Sequence, residues 1–176
     1  MKLHEFQAKE LLSQYGIPVP HGKVASTPNE VADITNELGG KVVIKAQAHT
    51  GGRGKGGGVK IANNVDEARQ LAVDIIGMQL VTHQTGPEGL PVNSVLVEEQ
   101  IEIERELYLS VAIDNSSGMP VVIASVSGGM DIEEVAEKNP EAIQRELVHP
   151  ECGFQPFQGR MIAFKTGLHG DLLRPA

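Results

Sequence analysis

Residues 42–58 read VVIKAQAHTGGRGKGGG, and the order of events within them decides the fold. Residues 41–46, KVVIKA, are β-branched and apolar on both faces, as in a buried strand. Lys45, close to its end, is a cation that burial penalises unless it is paired. Six glycines follow, Gly51, Gly52, Gly54, Gly56, Gly57 and Gly58, with Arg53 and Lys55 among them. Glycines at this density let the backbone approach a ligand and turn its N–H groups inward, which suits phosphate oxygens. Residues 59–62, VKIA, then read as a return strand.

That strand–loop–strand order separates the possible phosphate loops. Gly52-x-Gly54-x-x-Gly57 matches a dinucleotide fingerprint, but that motif opens directly into a helix, and here a strand follows. A Walker loop needs GxxxxGK and then Ser or Thr, a string this chain lacks. A glycine-rich flap folding over a triphosphate agrees with the order. So does a bare solvated hairpin, against which Lys45 counts. Its partner is either a nucleotide phosphate or Glu98 or Glu99, at the end of SVLVEEQ (94–100). Glu102, Glu104 and Glu106 follow closely and read as a solvated acidic edge near a hinge.

Outward from the loop, residues 4–15 read as a helix, with Leu3, Phe6, Leu11 and Leu12 toward one side and Gly16 and Pro18 stopping it. GKVAST (22–27) is a short strand. Thr27 caps a second helix, with Pro28 at its first position and Glu30 three residues past the cap, running to about Leu38. NNVDEARQLAVDIIG (63–77) is a third helix, and QTGPEGLPVN (84–93) is rich in turn residues. Two strands meet at a turn over 115–118. DIEEVAEKNPEAI (131–143) begins as a helix, and FQGRMIAFKTGL (157–168) is helical. LLRPA (172–176) supplies no obvious closing element. The sum is a mixed α+β chain, neither a βαβα repeat nor all-β.

Composition narrows the function classes. The net charge is −8 and aromatics are 3% of 176 residues, which argues against a nucleic-acid binder. No run approaches a membrane span, and the charged start MKLHEFQAKELLSQYG is no secretory signal, so a cytoplasmic protein is expected. Cys152 is the lone cysteine and reads as a small buried residue, not a nucleophile. The six histidines show no metal-ligand spacing. His49, beside the loop, reads as a turn histidine bonding the backbone.

Four blocks then become recognisable in their order: LHEFQAKELLSQYGIPVP (3–20), VVIKAQAHTGGRGKGGGVK (42–60), VLVEEQIEIERELYL (95–109) and SGGMDIEEVA (127–136). Together they resemble the beta subunits of succinyl-CoA synthetase (succinate–CoA ligase), specifically their N-terminal ATP-grasp portion, over essentially the whole chain. The resemblance implies an ATP-grasp fold with nucleotide between two lobes. Residues 1–19 would be an N-terminal helix packing on the second lobe, 20–100 the small lobe, and 101–176 the first part of the second lobe. It implies a reaction in which succinate, CoA and ATP give succinyl-CoA, ADP and phosphate. The phosphoryl group would travel through a phosphohistidine on a partner alpha subunit, so no catalytic residue is expected here. Lys45, Gly52, Arg53 and Gly54 match the family's phosphate contacts. Glu98 matches the acid beside the base, Ile101 a neighbouring base contact, and Glu106 an acid near ribose and phosphates. Mg²⁺ is implied, with its ligands beyond Ala176, so the chain alone is expected to bind nucleotide weakly and not to catalyse. Ser127 stands where the family usually carries Glu. Malate–CoA ligase beta subunits share the pattern, and a non-catalytic nucleotide-binding module would retain much of it.

Overall fold

A computed structural model describes residues 2–173; the end of the LLRPA tail lies outside the described residues. The chain forms two compact units, residues 1–102 and 103–176.

The first unit begins with α1 (Glu5–Gln14), β1 (Gly22–Ala25), α2 (Pro28–Glu37), β2 (Val42–Ala46), β3 (Val59–Ala62) and α3 (Val65–Ile75). Two paired two-residue strands, β4 (Gln79–Leu80) and β5 (Leu90–Pro91), follow, then β6 (Val95–Glu99). Four strands form one antiparallel sheet in the order β1-β6-β2-β3. Thr27 caps α2 as its sequence requires, accepting from the Glu30 N–H at 3.2 Å while Glu30 accepts from the Thr27 N–H at 3.1 Å. Asn64 caps α3 through the Glu67 N–H at 2.9 Å.

Strand alternation then assigns the two faces. Val42, Ile44 and Ala46 from β2 and Val95 and Val97 from β6 are buried in one cluster with Val31 and Ile34 of α2 and Ala68, Ala72 and Ile75 of α3. The opposite face carries Val43 and Lys45 from β2 and Glu98 from β6, where Glu98 pairs in register with Val43 and Gly22. One side of the sheet is thus oil and the other is charge, set by the same two-residue period.

Helix α1 departs from expectation. It buries none of its residues, and Leu3, Leu11 and Leu12 stay exposed. Within the first unit it is tied by ion pairs and by the Phe6 N–H donating to Gln47 Oε1 at 3.3 Å. Charge, not apolar periodicity, positions it.

The second unit contains β7 (Tyr108–Ile113), β8 (Pro120–Ser125), α4 (Ile132–Lys138), β9 (Ile143–Leu147) and α5 (Pro156–Lys165). Its sheet is antiparallel in the order β7-β8-β9. Asp114 accepts from the Ser117 N–H at 3.0 Å in the β7–β8 turn, and the Ser116 and Ser117 hydroxyls hold its carboxyl at about 2. Val122, Ala124 and Ile162 make a small core. Edge strand β7 leaves Leu109, Val111 and Ile113 at 69%, 70% and 62% exposure. Cys152, expected to be buried, is exposed in a turn where its carbonyl accepts from the Gln155 side chain.

Candidate functional site

The charged face of the first sheet gathers five side chains from four segments. Lys45 lies diagonally across β2 and β6 from Glu98 and donates to its Oε2 at 2.6 Å. Lys9, from α1, pairs with the same carboxylate through Oε1. Glu5, one turn earlier on α1, accepts from Lys45 at 3.1 Å and from Lys9 at 3.0 Å through Oε1. Its Oε2 accepts from Arg53 of the glycine loop at 2.6 Å. Glu98 is the most enclosed member at 1% exposure. Its side chain also explains Gly22: a Cβ there would stand 2.7 Å from Glu98 Cγ.

The cluster holds three cations and two carboxylates, so one positive charge is left over. Burial alone would raise the Glu5 pKa, but the Lys45 charge and the Arg53 hydrogen bond outweigh it and hold the carboxyl at about 2. Burial would likewise lower Lys45, and the bonds and charges of Glu98 and Glu5 reverse that, so its pKa is raised and it stays an ammonium. Glu5 therefore contributes stability that is present above its ordinary value of 4.5 and is lost as pH falls toward 2. Discounted for its partial exposure, the loss is about 1–2 kcal/mol. Denaturation midpoints measured from pH 5 down to pH 2.5 should show a shallower acid loss in Glu5→Gln than in the parent. Identical slopes would mean that Glu5 is not linked to folding.

The glycine loop is a folded object, not an open hairpin. It closes at its base with Ala46 N–H donating to Gly58 O at 2.7 Å. Within it, Gly56, Gly57 and Gly58 donate to the carbonyls of Gly52, Gly54 and Arg53 at 3.0, 3.1 and 2.8 Å. Those three N–H groups are spent on the loop's own turns, so they do not form the inward-facing cradle expected of them. Gly51 donates to Gln84 Oε1 at 2.7 Å. Gly56 must be glycine, because a Cβ there would stand 2.6 Å from the Val81 carbonyl. The Arg53 guanidinium reaches back over the loop's base, donating to Ala46 O at 2.7 Å as well as to Glu5.

The structure therefore joins Lys45, Arg53 and Glu98 in one network, with Gly52 and Gly54 as turn acceptors beside Arg53. Lys45 has carboxylate partners, Glu98 among them, as its position in a strand required. Ile101 is exposed just past β6. Glu106 belongs to the second unit, where its carbonyl accepts from the Gly128 N–H at 3.3 Å and its carboxylate lies against Gly129. His49 stacks on His4, with ring centroids 4.0 Å apart, so aromatic contact and not a backbone bond orients it. Sequence reasoning missed Glu5 and Lys9. Their four-residue spacing on a helix was legible, but nothing local says which sheet that helix meets. Lys9 and Glu98 also line a cleft of about 510 Å³, together with Phe6, Pro20, Gly22 and Leu96. Among the described residues no group of three or more His, Cys, Asp or Glu could hold a metal ion. No helix among them is long and apolar enough to cross a membrane.

Comparison with known proteins adds the wider context. Residues 2–176 match the ATP-grasp domain family. Over 180 aligned residues the chain is 56% identical to the beta subunit of an ADP-forming succinate–CoA ligase from Koribacter versatilis, covering all of this chain and 46% of that one. It is 52% identical to the corresponding subunit from a Nitratiruptor species, covering 99% of this chain and 45% of that one. The chain thus spans somewhat less than half the length of these relatives. Among solved structures, a dinucleotide-forming acetyl-coenzyme A synthetase 1 from Ca. Korarchaeum cryptofilum superposes with a TM-score of 0.70. That match is 23% identical and covers 93% of this chain and 66% of the other, which speaks to fold.

Proposed function

From the premise that the chain belongs to the ATP-grasp domain family, we propose that it is the nucleotide-binding portion of the beta subunit of an ADP-forming succinate–CoA ligase. The observation that carries this is the convergence of Lys45, from a buried strand, and Arg53, from the glycine loop, on a single carboxylate. Two cations held that close are arranged to grip phosphate oxygens, Arg as a fork and Lys as a point charge. Identity of 51–56% to several such beta subunits supports the same assignment.

In this reading Lys45, Gly52, Arg53 and Gly54 hold the phosphates. The base occupies the cleft beside Pro20, near Glu98 and Ile101. Neither Pro20 nor Ile101 offers a side-chain donor or acceptor to read guanine, which favours adenine. The overall reaction, succinate with CoA and ATP giving succinyl-CoA, ADP and phosphate, belongs to the assembled enzyme. The alpha subunit would supply the phosphohistidine. Mg²⁺, when bound, would help neutralise the phosphate charge. No cluster of this chain's described residues fits the ion, so no step here is assigned to it. This chain's own contribution is to bind, neutralise and orient the phosphates, which is most of phosphoryl-transfer catalysis.

Calorimetric titration of the chain with ADP and with GDP tests the proposal. ADP should bind saturably and more tightly than GDP. Lys45→Ala should weaken it by roughly tenfold or more, the value of one charge-assisted contact. A folded chain that binds neither nucleotide, or binds ADP equally well without Lys45, overturns the reading.

A further inference from the structure

The carboxylate of Glu5 sits where a gripped phosphate would have to sit. One oxygen takes the Lys45 ammonium at 3.1 Å and the other takes the Arg53 guanidinium at 2.6 Å. A carboxylate offers paired oxygens to a cation fork much as one edge of a phosphate does. We propose that Glu5 is a built-in stand-in anion: it occupies the grip between Lys45 and Arg53 when no phosphate is bound, and α1 releases it when phosphate arrives. The proposal rests on the phosphate-binding reading of Lys45 and Arg53 given above.

Three observations favour displacement over shared occupancy. First, the donors that face each other across the grip already end on Glu5: Lys45 directs one hydrogen at it and another at Glu98, and Arg53 directs one terminal nitrogen at it and the other at Ala46 O. Second, a phosphate entering beside an ionised Glu5 would bring like charges together in a partly desolvated place. Third, Glu5 is mounted on an element that can yield. Helix α1 has no fully buried residue and no member in the apolar core cluster, so moving it leaves that core intact. Glu98 differs on this last point, because it is built into β6 at 1% exposure and keeps a partner on Lys45 after Glu5 has left.

The division of labour between the two carboxylates follows. Glu98 is the permanent counter-charge that keeps Lys45 in place. Glu5 is the exchangeable one, neutralising Arg53 and tying the glycine loop to α1. Binding would then be an exchange of one anion for another, with the affinity set by the difference between them.

Calorimetry with pyrophosphate and with ADP, on the parent chain and on Glu5→Gln, tests this directly. Removing the competing charge should tighten both probes by about tenfold, the scale of one such charge contact. Hydrogen exchange on the parent chain gives a second readout that needs no variant. Saturating pyrophosphate should speed exchange in residues 5–14 while slowing it in the loop at 51–58. Weaker or unchanged binding by Glu5→Gln, or slower exchange in residues 5–14 on adding pyrophosphate, overturns the proposal. The two readings fail separately. If Glu5→Gln tightens pyrophosphate but ADP binds no better than pyrophosphate, the stand-in role holds and the nucleotide reading falls. If ADP binds and depends on Lys45 but ignores Glu5→Gln, the reverse is true.

Discussion

Glu98→Ala should cost the first unit about 3–5 kcal/mol, the usual penalty for removing one partner of a buried ion pair. The reason lies in who is left behind. Lys45 and Lys9 both point at this carboxylate, and both have side chains more than three-quarters enclosed. Without Glu98 they share Glu5 alone, and Arg53 claims that carboxylate too. The cluster goes from one surplus positive charge to two. Part of the cost is packing, since the Glu98 stem fills the space against Gly22. Urea denaturation of parent, Glu98→Ala and Glu98→Gln separates the terms. The glutamine variant keeps the volume and loses only the charge, so it should fall between the other two. A loss below about 1 kcal/mol in the alanine variant would mean the lysines reach water freely and the pair is of the weak surface kind.

The second large effect lies on the other face of the same strand. Ile44 is fully enclosed among Val42, Val97, Ala68 and their neighbours. Ile44→Ala should destabilise by about 2–5 kcal/mol, combining lost transfer energy with a cavity that four strands and two helices cannot close. Its side chain points away from Lys45, so the charge cluster keeps its members. The two variants should therefore dissociate two properties. Ile44→Ala lowers the denaturation midpoint while phosphate affinity, measured well below that midpoint, stays within about twofold of the parent. Glu98→Ala lowers both. A large affinity loss in Ile44→Ala would show that the cluster depends on the core's exact packing.

The strand–loop–strand core of the fold was legible because its signals are local. KVVIKA announces a strand by residue type, Thr27 and Glu30 announce a cap by spacing, and a glycine run before VKIA announces a turn between strands. The shape of that turn was not legible. Its N–H groups close on its own carbonyls, a choice made by sterics with Val81 and Leu80, far along the chain. Helix α1 was legible, but the charges that anchor it were not. Leu3, Phe6, Leu11 and Leu12 suggested an apolar side, whereas Glu5 and Lys9 hold it in place. Periodicity reports what water would expel, and it is silent about which distant charge a carboxylate will meet. Strand β9, IQREL, was missed for a related reason. Its alternation is weak, and only pairing with β8 makes it a strand. The site followed the same rule. Lys45 and Arg53 stood out through their own surroundings, and Glu5 did not.

Edge strand β7 carries a consequence in kinetics. Leu109, Val111 and Ile113 stand on one face of a strand whose outer hydrogen-bonding edge has no neighbouring strand among the described residues. In the isolated chain such an edge is a potential reactant, and another copy of itself is a partner it can take. Loss of monodisperse chain by that route is second order, so its half-life shortens in proportion to concentration. A dilute spectroscopic sample and a concentrated calorimeter cell thus have different lifetimes, and the order in which the experiments are run becomes a variable of the chemistry.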